Sequence, residues 1–215
     1  MMNYLTRVAL LAFLLVPLTG CESAYYGAWE KMGWAKRDIL VDRVEETRDS
    51  QNAAKEQFQT TLERFQSLTN FSGGELESKY KQLNSAYESC KGRAEDVTEK
   101  IDAVEDVAKD MFAEWKEELQ EYSDASLRSS SQQKLRDTQK RYDELIGLMR
   151  KSEQRMQPVL GAFKDQVLYL KHNLNAQAIS SLQATAANIE TDVAALIKEM
   201  DASIAEANEF IKQMK

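Results

Sequence analysis

Two prolines and eight glycines in 215 residues are too few to turn a chain back every ~8–12 residues, as a β-sandwich requires. They are also too few for the tight connections of a parallel α/β fold. Histidine occurs once, as His172, and cysteine twice, as Cys21 and Cys90. One imidazole cannot furnish a zinc triad, a Ser–His–Asp set or a catalytic Cys–His pair. The Glu-x-x-His spacing of di-iron bundles is missing, because Tyr169 stands three residues before His172. Neither glycine-rich phosphate loop of the nucleotide-binding folds is present. Basic residues are in deficit, 28 against 35 acidic, for a net charge of −7, whereas a phosphate backbone requires a basic surface. These absences lead us to expect no catalysis, no metal, no cofactor, and neither nucleic acid nor nucleotide as a partner.

No apolar run reaches the ~20 residues that span a bilayer as a helix. The longest, Val8 to Leu18, follows a polar start carrying Arg7 and ends in Leu18-Thr19-Gly20-Cys21. That order of basic start, short apolar core and small residues is a secretory signal. Its end resembles the lipobox of bacterial lipoproteins, in which the chain is cut between Gly20 and Cys21 and the Cys21 thiol is acylated. The expected divisions are therefore a signal at 1–20, a lipidated and membrane-proximal segment at 21–36, and a body at 37–215. Arg7 is the one charged residue of the leader, so its removal takes the net charge from −7 to −8. Glu22 is not the Asp that the lipoprotein resemblance associates with inner-membrane retention, which points to an outer-membrane anchor facing the periplasm.

Directly after the anchor come Tyr25, Tyr26, Trp29, Met32 and Trp34, with Lys31, Lys36 and Arg37 interleaved or adjacent. Aromatic rings with a polar tip suit the membrane–water interface. The alternative is that the rings fold back and cap the body.

The body reads as helix throughout. A first stripe runs through Val41, Val44, Ala54, Phe58, Leu62, Phe65 and Leu68, with a polar gap near Arg48 and Gln51. Breaks are expected near 70–74, 123–131 and 171–177. Between the first two, alternate steps of four and three from Leu76 meet Tyr80, Leu83, Tyr87, Cys90, Ala94, Val97, Ile101, Val104, Ala108, Met111 and Trp115. A sustained 3.5-residue period is the seam of a coiled coil, and the stripe shifts at Leu119 to reach Tyr122, a helix of about 48 residues. Cys90 lies on this seam and reads as a small buried hydrophobe rather than a reactive thiol.

A third stripe, Leu135, Tyr142, Leu145, Met149, Met156, Phe163 and Leu170, is interrupted by Thr138, Ser152 and Gln166. Pro158 within it is expected to kink the helix or start a new segment. His172-Asn173 reads as a corner. The fourth stripe runs Ile179, Leu182, Ala186, Ile189, Val193, Leu196, Met200, Ala207, Ile211 and Met214. Four helices with one apolar stripe each must bury those stripes on one another, and short breaks make neighbours antiparallel. The expected fold is all-α: an elongated antiparallel bundle, or coiled-coil hairpins, of about four long helices.

The segment Tyr25-Tyr26-Gly27-Ala28-Trp29-Glu30-Lys31-Met32-Gly33-Trp34 carries a wider resemblance. So do Pro158-Val159-Leu160 and Val167-Leu168-Tyr169-Leu170-Lys171-His172-Asn173-Leu174-Asn175-Ala176. With the lipobox, they are similar to a family of Gram-negative bacterial lipoproteins of unknown function. That resemblance implies an envelope lipoprotein with a coiled-coil-like body, and brings no activity or functional residues. Two functions are consistent with the whole. One is a structural or adaptor element that contacts an envelope protein or a second copy of itself. The other is a periplasmic chaperone or carrier of an apolar client, motivated by Met149, Met156, Met200 and Met214 beside Pro158, since methionine surfaces adapt to varied ligands.

Overall fold

The structure is a computed structural model that describes residues 36–69 and 76–215. Among them stand four helices: α1 (Lys36–Thr69), α2 (Leu76–Glu118), α3 (Ala125–His172) and α4 (Ala176–Met214). The described residues are 94% helical and contain no strand. The protein is an all-α four-helix bundle. At 1.5 Å per residue, the 48 residues of α3 give a rod about 70 Å long.

Each helix packs on its neighbours in sequence, and α4 closes the ring on α1. Cross-helix bonds fix the directions. Thr47 and Thr61 of α1 donate to the carbonyls of Lys100 and Ala86, so α1 and α2 run opposite ways. Glu105 pairs with Arg150 and Trp115 with Ser131, which sets α3 antiparallel to α2. Lys55 to Asp201 and Lys215 to Glu45 do the same for α4 on α1.

The stripes read from the sequence are the core. Phe58, Phe65, Leu83, Cys90, Val97, Ile101, Leu145, Met149, Phe163, Leu182, Val193 and Leu196 are fully covered. The twelve-position seam of α2 is buried in its interior and half-exposed toward its ends, at Leu76, Tyr80 and Trp115. Phe65 and Phe163 meet edge-on across the ring diagonal at 6.5 Å.

Three expectations need adjusting. The break expected at 123–131 is a turn at 119–124. The Asp124 carboxylate accepts from the backbone N–H groups of Ser126 and Leu127 at 2.7 and 3.0 Å, starting α3 at Ala125 and leaving Ser129, Ser130 and Ser131 inside the helix. The second helix correspondingly ends at Glu118, earlier than Tyr122. Pro158 does not start a new segment: α3 runs through it to His172. Pro158 and Gln154, whose carbonyl the proline cannot bond, are both on the exposed side, where water can serve that carbonyl. The break near 70–74 falls outside the described residues. The last corner is Asn173 to Asn175. The Asn173 side chain donates to the Tyr169 carbonyl, and Asn175 caps α4 by accepting from Ala178 N–H at 3.0 Å.

Candidate functional site

The residues with the strongest chemical reading, Gly20, Cys21, Tyr25, Tyr26, Trp29, Met32 and Trp34, lie outside the described residues. What the bundle contributes is the platform that follows them, starting two positions after Trp34.

Its most distinctive feature is polar and central. Gln51 of α1, Ser152 of α3 and Ser203 of α4 are all fully buried. The Gln51 amide donates to Ser152 Oγ at 2.9 Å and its carbonyl oxygen accepts from Ser203 Oγ at 3.0 Å. The Ser152 hydroxyl in turn donates to the Met149 carbonyl at 2.8 Å. The gap near Gln51 in the first stripe and the interruption at Ser152 in the third are therefore one interaction. The signal for the third partner was the missing apolar position between Met200 and Ala207. A buried amide satisfied on both ends tolerates only one alignment of the helices around it.

A second cluster sits on the α2–α3 face. Arg150 reaches Asp102, Glu105 and Glu153 at once, the last two at 2.6 and 2.8 Å. The hydrogen bond to Glu105 leads in holding the guanidinium far above its ordinary range. Tyr142, packed edge-on against Phe112 at 5.4 Å, has its phenol pushed up to about 12, first by burial and then by the Glu105 charge. This is a clasp between two helices: the cation is spent on three carboxylates.

Cys90 is buried and its thiol is pushed up to about 12 by desolvation. A thiol that stays protonated is a poor nucleophile. His172 is exposed at the end of α3, beside Leu168, Tyr169 and Leu174, which leave 50%, 40% and 40% of their surface open. That is an apolar knob at the end of the rod away from the α2–α3 turn. Met149, Met156 and Met200 are buried and Met214 is half-buried, so those methionines line the core instead of an adaptable surface. Among the described residues no three His, Cys, Asp or Glu side chains gather as a metal site. Among them, too, no helix is long and apolar enough to cross a membrane.

A family model described as "Protein of unknown function (DUF2959)" matches residues 25–214. The chain belongs to this family. The match takes in the aromatic segment from Tyr25 and all four helices of the bundle. No curated protein and no solved structure matches the chain.

Proposed function

We propose that this DUF2959 protein is a bacterial envelope lipoprotein, acylated on Cys21. In this reading it is held in the outer membrane facing the periplasm, and acts as a non-catalytic structural or adaptor element. The observation that carries the reading is Leu18-Thr19-Gly20-Cys21 closing an apolar run of 11 residues and followed by a rod of stacked helices. Several acyl chains on one residue bind a bilayer far more firmly than one, at ~0.8 kcal/mol per buried methylene. A rod about 70 Å long, tethered at one end, carries its far end well clear of the headgroups. The exposed Leu168, Tyr169 and Leu174 at that end offer a partner a small apolar contact.

The buried methionines favour this reading over a client carrier, which would need them at a surface or a groove. The partner is an envelope protein or a second copy of the chain. Cells grown with an alkyne fatty acid provide the first test: the wild-type protein should take up label and sediment with membranes. Cys21→Ala should do neither, and unlabelled wild-type protein in the soluble fraction would overturn the reading. Photo-crosslinking in intact cells from position 172 then distinguishes adaptor from self-assembly. Adducts to another envelope protein support the first, self-adducts the second.

A further inference from the structure

Large apolar side chains are kept off the length of the rod. Among the described residues five stand exposed, Tyr122, Leu127, Leu168, Tyr169 and Leu174, with 40–59% of their surface open. Each lies within four residues of one or other end of α3. From Leu127 to Leu168 is about 60 Å of helix, and no large apolar residue is exposed on any described helix between them. Exposed apolar residues scattered singly need no explanation, whereas their confinement to the two ends of a rod marks those ends as contact surfaces.

The two ends differ in charge. Around Tyr122 and Leu127, the segment from Glu114 to Arg128 holds five acids, Glu114, Glu117, Glu118, Glu121 and Asp124, against Lys116 and Arg128, a net −3. Glu117, Glu118 and Glu121 are exposed and make no ion pair among the described residues. At the other end Lys164 and Lys171 flank Leu168 and Tyr169, with Asp165 as the one acid from Lys164 to Ile189. Both lysines are exposed and without an ion pair among the described residues. The start of α2, at this same end, adds Lys79 and Lys81 against Glu77, for a net +2. Glu63 and Arg64 near the end of α1 cancel.

We propose that copies of the chain join head to tail, the Leu168, Tyr169 and Leu174 end of one seated on the Tyr122 and Leu127 turn of the next. The apolar side chains cover one another, and Lys164 and Lys171 face Glu117, Glu118 and Glu121. Two like ends would set lysines against lysines or acids against acids, which disfavours a twofold end-to-end pair. A contact between unlike surfaces is not used up in a pair, so it repeats from copy to copy. An end two helices across is only ~20 Å wide, so the contact is small and reversible. The proposal deepens the structural reading above by naming a second copy as the partner. One consequence rests on acylation at Cys21: joined copies, each anchored, form a string laid along the membrane.

The test puts p-benzoylphenylalanine in place of Leu168, or separately of Tyr122, in the full chain in intact cells. The adduct from position 168 should join two chains and map to residues 114–131, and that from position 122 to residues 164–177. The two positions are more than about 60 Å apart in one copy, so neither adduct can form within a chain. Adducts from position 168 to residues 164–177 of a second chain would overturn the proposal, as would adducts only to another protein or none at all. Glu117→Lys, Glu118→Lys and Glu121→Lys together should cut the adduct yield about tenfold or more. Adding Lys164→Glu and Lys171→Glu should restore most of it, which a misfolded chain would not do. An unchanged yield, or a loss that the added pair leaves unrestored, overturns the proposal as well. Fatty-acid labelling and sedimentation of the same cells read the anchor separately. A chain that is labelled yet gives no end-to-end adduct loses this inference and keeps the lipoprotein reading.

Discussion

At the scale of single residues, the informative positions are polar ones at apolar sites. Gln51 interrupts its stripe, and on the sequence alone that is only a weak spot in a seam. Buried with Ser152 and Ser203 it becomes a three-helix hydrogen-bonded layer. Removing one partner strands the others, while removing all three does not. Gln51→Ala should therefore lower the unfolding free energy by about 2–4 kcal/mol in urea titrations. The triple change Gln51→Leu, Ser152→Ala and Ser203→Ala should be near neutral or stabilising. A triple variant as unstable as the sum of its parts would refute the layer as a coupled unit.

Cys90 makes the second residue-scale prediction. Its thiol titrates near 12 in the folded protein, above the ordinary value of 9. As pH rises above 9 the unfolded chain loses its proton first, so folding becomes less favourable between pH 9 and 12. The slope approaches about 1.4 kcal/mol per pH unit. Tyr142, pushed up from 10 to about 12, acts in the same direction. Cys90→Ala should flatten the alkaline limb of a stability–pH curve, and a thiol reagent should label Cys90 at pH 8 only at the rate of unfolding.

Among the elements, α3 is where local preference and observed structure disagree. Pro158 sits inside a helix of 48 residues, without the N–H that would bond the Gln154 carbonyl. The helix continues because Val159, Leu160, Phe163 and Val167 beyond it are buried in the bundle. Burial of those side chains, at ~1.5–3 kcal/mol each, outweighs the ~3 kcal/mol a proline costs in a helix interior. Pro158→Ala should raise the urea midpoint by an amount equal to about 1–3 kcal/mol. A lowered midpoint would mean that the proline's restriction of the unfolded chain is the larger effect.

The same element shows why boundaries were only partly legible. The serines at 129–131 suggested a turn by composition. The decision belonged to Asp124, whose carboxylate captures two orphan N–H groups and commits the next residues to helix. By contrast the stripes themselves were legible almost residue by residue, since a 3.5-residue period leaves a chain no other way to bury so much apolar surface.

For the whole molecule, the question is what selects this ring of four over two separate hairpins. Apolar stripes alone are permissive, because most of them could pair in several ways. The selective contacts are polar and cross between the α1–α2 and α3–α4 hairpins: Gln51 to Ser152 and Ser203, Lys55 to Asp201, and Arg150 to Asp102 and Glu105. The Arg150 clasp is part-exposed, so its worth is screened. Arg150→Met should cost about 1–2 kcal/mol, because three carboxylates are left facing one another. That cost should be larger at low salt than at 0.5 M, as read from melting temperatures at two salt concentrations. A salt-independent cost would point to lost packing of the arginine stem instead.

The chain by itself determined that the protein is helical, that its helices are long and few, which faces they bury, and that Cys90 lies on a buried face. Periodicity is a local property, carried by every window of the sequence. It also determined the candidate anchor at Cys21, through a short motif read in order. The tertiary structure alone decided that the interruptions at Gln51 and Ser152 are each other's partners, that Met149, Met156 and Met200 face inward, and that α4 closes the ring on α1. Those outcomes depend on which residues of distant segments stand at the same height in the bundle. That height is set by summed packing over four helices, and no single segment contains it.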